Sequence, residues 1–204
     1  SKLDFLLLGD SYTQGICVAS EDNIAGRLRE VRPRTLNLGM SKNGPLMMLA
    51  TLKEYGQLFE PNVVLWLFYG GNDLSDLAEE RGTPLLNYLE EGFSQGLLDK
   101  QQVIDDVIGG YMDEAIATER ATTQGSTGEA RPAFSLLEWL KFGRLRSFAR
   151  LTYQPSEVAG EADLRLFARI LGEADRVVNS WGGHLYFVSL PGYLEFARGP
   201  TSFQ

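Results

Sequence analysis

Residues 6–15 read Leu6-Leu7-Leu8-Gly9-Asp10-Ser11-Tyr12-Thr13-Gln14-Gly15: an apolar run that stops abruptly at a glycine, with a serine two residues later. A short, continuously apolar segment of this kind, here residues 3–8, predicts a strand of a parallel sheet covered on both faces. The residues just past such a strand stand at the carboxyl edge of the sheet, where open α/β sheets bind ligands. Ser11 is therefore a candidate nucleophile, and the other strand ends are where its partners are to be sought.

Working outward, the chain alternates. Ile24, Leu28 and Val31 lie at helical spacing after Ser20, a residue able to cap, and Pro33 stops the helix. Residues 35–40 predict a second short strand. Pro45 suits the first turn of another helix, on which Met48, Leu52, Tyr55 and Phe59 form one buried face. Residues 62–69 predict the strongest strand, ending at Gly70-Gly71-Asn72-Asp73. This alternation predicts a three-layer α/β fold with a central parallel sheet.

The rhythm lapses from about residue 74 to residue 153. Ile104, Val107, Ile108 and Tyr111 predict one helix, and Leu137, Leu140, Leu145, Phe148 and Leu151 another, with a polar loop at residues 118–132 between them. The expected organisation is a single domain over residues 1–204 with a helical insertion at 79–155. The α/β pattern then returns. Leu164, Phe167, Ala168, Leu171 and Val178 mark a helix ending at Gly182-Gly183, and residues 184–190 predict a fourth strand before Pro191-Gly192.

Composition narrows the chemistry. The chain of 204 residues is 44% hydrophobic, carries a net charge of −8, and has one cysteine, Cys17, and one histidine, His184. The acidic balance argues against nucleic acid as a partner. One cysteine excludes an intrachain disulfide and a Cys-rich zinc site. No apolar stretch approaches the roughly eighteen residues of a membrane span, and no signal peptide is visible. Lys141, Arg144, Arg146 and Arg150 give the 137–151 segment a basic face that could touch an anionic membrane. The preferred reading is a helix packed on the core with that face in water. Neither G-x-G-x-x-G nor G-x-x-x-x-G-K-[ST] occurs at the first strand-to-helix turn, so a nucleotide site is not indicated.

Three distinctive loops succeed the first three strands: Gly9-Asp10-Ser11, Asn37-Leu38-Gly39-Met40-Ser41-Lys42-Asn43-Gly44-Pro45, and Gly70-Gly71-Asn72-Asp73. Loops after successive parallel strands share one edge, so the three converge. Their chemistry fits acyl transfer, in which a serine attacks an ester carbonyl and preorganised donors hold the oxyanion. The Ser11 backbone N–H, a backbone N–H of the 39–44 loop and the Asn72 amide are candidate donors. The plain alternatives are a helix-capping role for Ser11, a turn role for Asn72 and a solvated side chain for Lys42.

These three blocks, in this order and each ending a strand, resemble the SGNH (GDSL-type) hydrolase superfamily. The resemblance covers residues 1–78 well and 160–192 loosely. It implies a flavodoxin-like sheet, a serine esterase acting through an acyl-serine, and no metal or other cofactor. By resemblance Ser11 is the nucleophile, while Ser11, Lys42 and Asn72 supply the oxyanion hole, with Gly44 the alternative to Lys42. Asp10, Gly39, Gly70 and Asp73 support the loops. The substrate implied is a small-molecule or polysaccharide acyl ester.

Two departures stand out. Lys42 occupies a position that is glycine in many relatives, and the family's last block, Asp-x-x-His, is not in these 204 residues. His184 opens a strand and belongs at the amino edge, opposite Ser11, which fits a structural role. The expectation is a chain truncated at its carboxyl end. The alternatives in function are an O-acyltransferase of polysaccharide modification and a non-catalytic scaffold that lacks the base.

Overall fold

The computed structural model describes residues 2–124 and 160–191. Four strands, β1 (Phe5–Leu8), β2 (Thr35–Asn37), β3 (Val63–Tyr69) and β4 (His184–Leu190), form one parallel sheet in the order β2-β1-β3-β4. The helices are α1 (Ser11–Gln14), α2 (Ile24–Val31), α3 (Pro45–Glu54), α4 (Asp73–Glu80), α5 (Gln101–Gln124) and α6 (Glu161–Ser180). The chain steps from β1 to β2, then crosses back past β1 to reach β3. The strand order therefore reverses between β1 and β3, the position at which doubly wound sheets open a crevice.

Each face of the sheet has its own apolar cluster. On one face Leu7 and Leu67 meet Ala25 of α2, with Ile24 and Leu28 packed around them. On the other, Leu6, Leu8, Val64 and Trp66 pack with residues of α3, α4 and α6, including Leu52, Leu77 and Ile170. The three leucines of β1 have no exposed surface because both layers cover them. Burying such a side chain is worth about 1.5–3 kcal/mol.

The central helix α3 also buries charge. The Lys53 ammonium donates to the carbonyls of Tyr88 and Glu90, both at 2.9 Å, and to the Glu173 carboxylate of α6 at 3.1 Å. The neighbouring Glu54 carboxylate accepts from the Tyr88 hydroxyl at 2.7 Å, from Ser94 Oγ and the Leu97 N–H at 2.9 Å, and from the Gln95 N–H. These bonds seat residues 84–97 against α3, and Tyr88 is fully buried there.

The elements differ from the sequence expectations in instructive ways. Strand β2 ends at Asn37, not at residue 40, because the Asn37 side chain turns the chain by accepting the Gly39 N–H at 2.9 Å. Asn23, not Ser20, caps α2, accepting the Gly26 N–H at 2.7 Å. Met48 and Leu52 are buried, but Phe59 is exposed, because α3 ends at Glu54 and is succeeded by a 3₁₀ turn at Gly56–Leu58. Residues 118–124 continue α5 and are not loop. The helix expected at 137–151 and the rest of the 118–132 loop lie outside the described residues.

The described residues up to Leu97, with those from 160 onward, form one compact unit, and Leu98 to residue 124 belong to a second. Within the second unit, Gln101 and Gln102 bond to Asp105 and Asp106 one turn on, at 2.7 and 2.9 Å. Such i, i+4 pairs support a helix locally. No helix among the described residues is long and apolar enough to cross a membrane.

Candidate active site

The loops after β1, β2 and β3 meet at the carboxyl edge. The Met40 N–H donates to the Gly9 carbonyl at 3.1 Å, and Asn37 Nδ2 donates to the Thr13 carbonyl at 2.7 Å. The Ser41 N–H and hydroxyl both reach Gln14 Oε1, at 2.8 and 3.0 Å. Across the crevice, the rings of Tyr12 and Tyr69 lie 4.3 Å apart between centroids.

Ser11 is the first residue of the one-turn helix α1 and is partly exposed. Asp10, 1% exposed, caps that turn by accepting the Tyr12 N–H at 2.9 Å. Close approach makes Gly9 and Gly39 obligatory glycines. A Cβ at Gly9 would collide with the Thr13 side chain, and one at Gly39 would come within 2.5 Å of it. Thr13, fully buried, is thus the post on which the first two loops close.

The second loop carries Lys42 with φ of 67°, in the left-handed region that favours glycine. A lysine in this conformation keeps its backbone N–H as a donor, at a cost of about 1 kcal/mol. Gly44, the alternative donor, is committed elsewhere, since its N–H points to Glu80 Oε1 at 2.9 Å in a buried bond.

In the third loop the Tyr69 N–H donates to Asp73 Oδ2 at 2.9 Å, closing the turn that presents Asn72. Asn72 Nδ2 donates to Asp76 Oδ2 at 2.7 Å. An amide has two donor hydrogens, so one remains for a ligand. A Cβ on the exposed Gly70 would make only ordinary contact with the Phe68 ring, at 3.9 Å, whereas one on Gly71 would collide with the Tyr69 ring, at 2.5 Å. The tight glycine of this loop is Gly71.

Acidic side chains gather beneath these loops. Burial pushes the Asp73 carboxyl up to about 8, against the Tyr69 N–H bond, and Asp10, Asp76 and Glu80 add to the rise. Asp73 is therefore largely a neutral acid at pH 7. Burial also raises Asp76, opposed by its bond from Asn72. Asp10 Oδ2, Asn72 Oδ1 and Asp73 Oδ1 are buried without a hydrogen-bond partner. Among the described residues, no group of three or more His, Cys, Asp or Glu side chains is arranged to hold a metal ion.

His184 stands apart. It pairs with Val63, which pairs with Phe5, so it lies level with the start of β1. Ser11 lies past the end of β1, about 10 Å or more away along the strands. An open, mainly apolar cleft of about 470 Å³ adjoins the second loop, with Gln14, Leu38, Met40, Met47 and Tyr55 among its walls. Sequence reasoning missed Asp76 and Glu80, and within the third loop it singled out Gly70 where the close approach is at Gly71. Asp76 was detectable from its i, i+4 spacing to Asn72. Glu80 had only an indirect signal, a helix beginning Gly44-Pro45 with no side chain of its own to cap it.

No family model and no curated protein sequence matches the chain. Among solved structures it is similar to AlinE4, an SGNH-hydrolase family esterase, at 22% identity and a TM-score of 0.33. That match spans 50% of this chain and 55% of the esterase. A point mutant of the same esterase matches at 18% identity and a TM-score of 0.33, over 76% of this chain and 98% of that one.

Proposed function

We propose that this chain carries the nucleophile and the oxyanion donors of an enzyme that transfers acyl groups from oxygen esters. The observation that supports the reading is the closure of three strand-end loops on one another at the β1/β3 reversal, with Ser11, the Lys42 N–H and Asn72 on them. In this scheme Ser11 Oγ attacks the ester carbonyl carbon and gives its proton to a general base. The Ser11 N–H, the Lys42 N–H and the free Asn72 amide hydrogen take the oxyanion. The carbonyl re-forms, the alcohol leaves with a proton, and an acyl-serine remains. Water as acceptor completes an ester hydrolysis, and a sugar hydroxyl as acceptor completes an O-acyl transfer. Asp10 and Asp73 hold the loops. The apolar cleft beside the second loop suits the hydrocarbon part of the ester.

His184 lies at the wrong edge to serve as the base, so the reading takes its base from a histidine outside these 204 residues. The test uses the full-length protein and a fluorophosphonate ester. The expected result is one adduct, on Ser11, by mass spectrometry. A folded protein that stays unlabelled would overturn the reading and favour the non-catalytic scaffold, the alternative that the position of His184 supports. Asn72→Ala is expected to lower kcat by about 10²–10³ with little change in KM, because the oxyanion exists only near the transition state. Steady-state kinetics with an aryl ester checks this, and an unchanged kcat removes Asn72 from the site.

A further inference from the structure

We infer that Glu80 is a positioning residue, a carboxylate at the far end of α4 that grips the loop bearing Lys42 and fixes it relative to Asn72. The inference rests on the acyl-transfer reading and assigns the part of the fold that sets the distance between two of its oxyanion donors.

The first turn of a helix leaves its backbone N–H groups without partners inside the helix. At the N-terminus of α3 the capping residue is Gly44, which has no side chain, and Pro45 has no N–H. The Met48 N–H already reaches the Gly44 carbonyl at 2.9 Å. Three donors remain, on Gly44, Leu46 and Met47. One side chain takes all three: Glu80 Oε1 accepts from Gly44 at 2.9 Å and Met47 at 3.2 Å, and Oε2 accepts from Leu46 at 2.8 Å. Glu80 is 8% exposed. A Cβ on Gly44 would stand 2.6–2.8 Å from that carboxylate, so the grip also requires glycine there.

The other end of the same helix carries Asn72. It is the residue before Asp73, where α4 begins, and it is held by Asp76 one turn in and by the Asp73–Tyr69 bond. An eight-residue helix is a strut of about 12 Å. Asn72 sits at one end and Glu80 at the other, and Glu80 holds the backbone two residues from Lys42. Lys42 keeps its left-handed conformation in a loop that Ser41 and Gln14 tie down on its other side. Displacing an oxyanion donor by a fraction of an ångström is enough to cost rate, because its value depends on preorganisation.

The test compares the full-length protein with Glu80→Gln and Gly44→Ala, using two measurements. Amide hydrogen exchange by NMR is expected to rise at least tenfold across residues 41–47 in both variants, Lys42 included, although Glu80 makes no hydrogen bond to Lys42. A rise confined to Gly44, Leu46 and Met47 makes Glu80 a local cap and overturns the inference. Esterase kinetics are expected to show kcat down at least tenfold with KM within twofold. An unchanged kcat in a variant with faster exchange at Lys42 overturns it as well. If Glu80→Gln does not fold, Gly44→Ala, which displaces the carboxylate while leaving it in place chemically, decides. A wild-type protein unlabelled at Ser11 sinks the acyl-transfer reading alone, and the exchange data still judge the grip.

Discussion

The two ends of α3 are both finished by a buried glutamate that collects several donors, yet the two carboxylates differ in character. At the C-terminal end, Glu54 is opposed by burial but gathers the Tyr88 hydroxyl, the Leu97 and Gln95 N–H groups and Ser94, and these bonds hold its carboxyl below the ordinary value. At the N-terminal end, burial pushes Glu80 up to about 7; the Leu46, Met47 and Gly44 N–H groups oppose this, and Asp76 adds to it. The lesson is that donor number alone does not set a buried carboxylate. At Glu54 four donors outweigh the cost of burial, whereas at Glu80 burial outweighs three, and the neighbouring Asp76 adds to the rise. One end of the helix is scaffold whose carboxyl is held below its ordinary value, and the other is raised to about 7.

The strongest way to break this comparison is to remove the scaffold end. Glu54→Ala strands four donors in the interior and is expected to cost about 3–5 kcal/mol across pH 5–8, read from urea unfolding. A loss under 1 kcal/mol would mean that residues 84–97 do not depend on Glu54 for their seat.

A second effect separates the ends by pH, with opposite signs. Glu54 is an acid whose folded value is lowered, so its stabilisation is present above its ordinary value of 4.5 and is lost as pH falls through the folded one. Glu80 and Asp73 are raised, from 4.5 to about 7 and from 3.8 to about 8, so the stability they contribute is complete below the ordinary values and declines as pH rises through the folded ones. Calorimetry is expected to give a highest Tm near pH 5, falling by several degrees toward pH 8. Asp73→Asn is expected to flatten that fall, and equal wild-type Tm values at pH 5 and 8 would contradict it.

The smallest effect sharpens the comparison at single glycines. Gly44→Ala pushes a Cβ against a carboxylate held by three bonds, whereas Gly56→Ala, just past the other end, meets only the Leu52 and Leu6 side chains. The expected costs are about 2 kcal/mol and about 1 kcal/mol respectively, by denaturant titration. The reverse order would show that the Glu80 end yields more easily than the core beneath Gly56.

The sequence made part of this legible and hid the rest for identifiable reasons. Unbroken apolar runs are the mark of doubly covered strands, so β1, β3 and β4 were readable, β4 with the bounds the structure has. The loops after β1 and β3 were readable because an apolar run ends on glycine in both. Strand β2 was overextended because its end is set by a side-chain bond of Asn37 and not by any change in hydrophobicity. Lys53 and Glu54 resemble a solvated helix end in a sequence, and only the later arrival of residues 84–97 and α6 buries them. Glu80 lies 36 residues from Gly44, and no local pattern links a carboxylate to a helix end at that distance.

The ammonium of Lys53 has a consequence for the order in which the chain can be completed. Its two carbonyl partners arrive with residues 88 and 90, but its carboxylate, Glu173, arrives 120 residues after it. A nascent chain carrying β1, β2 and β3 has the strands of a sheet yet holds an unneutralised cation under its central helix. Only with α6 in place does that charge meet its carboxylate, so this helix stitches closed the core begun by β1 and α3.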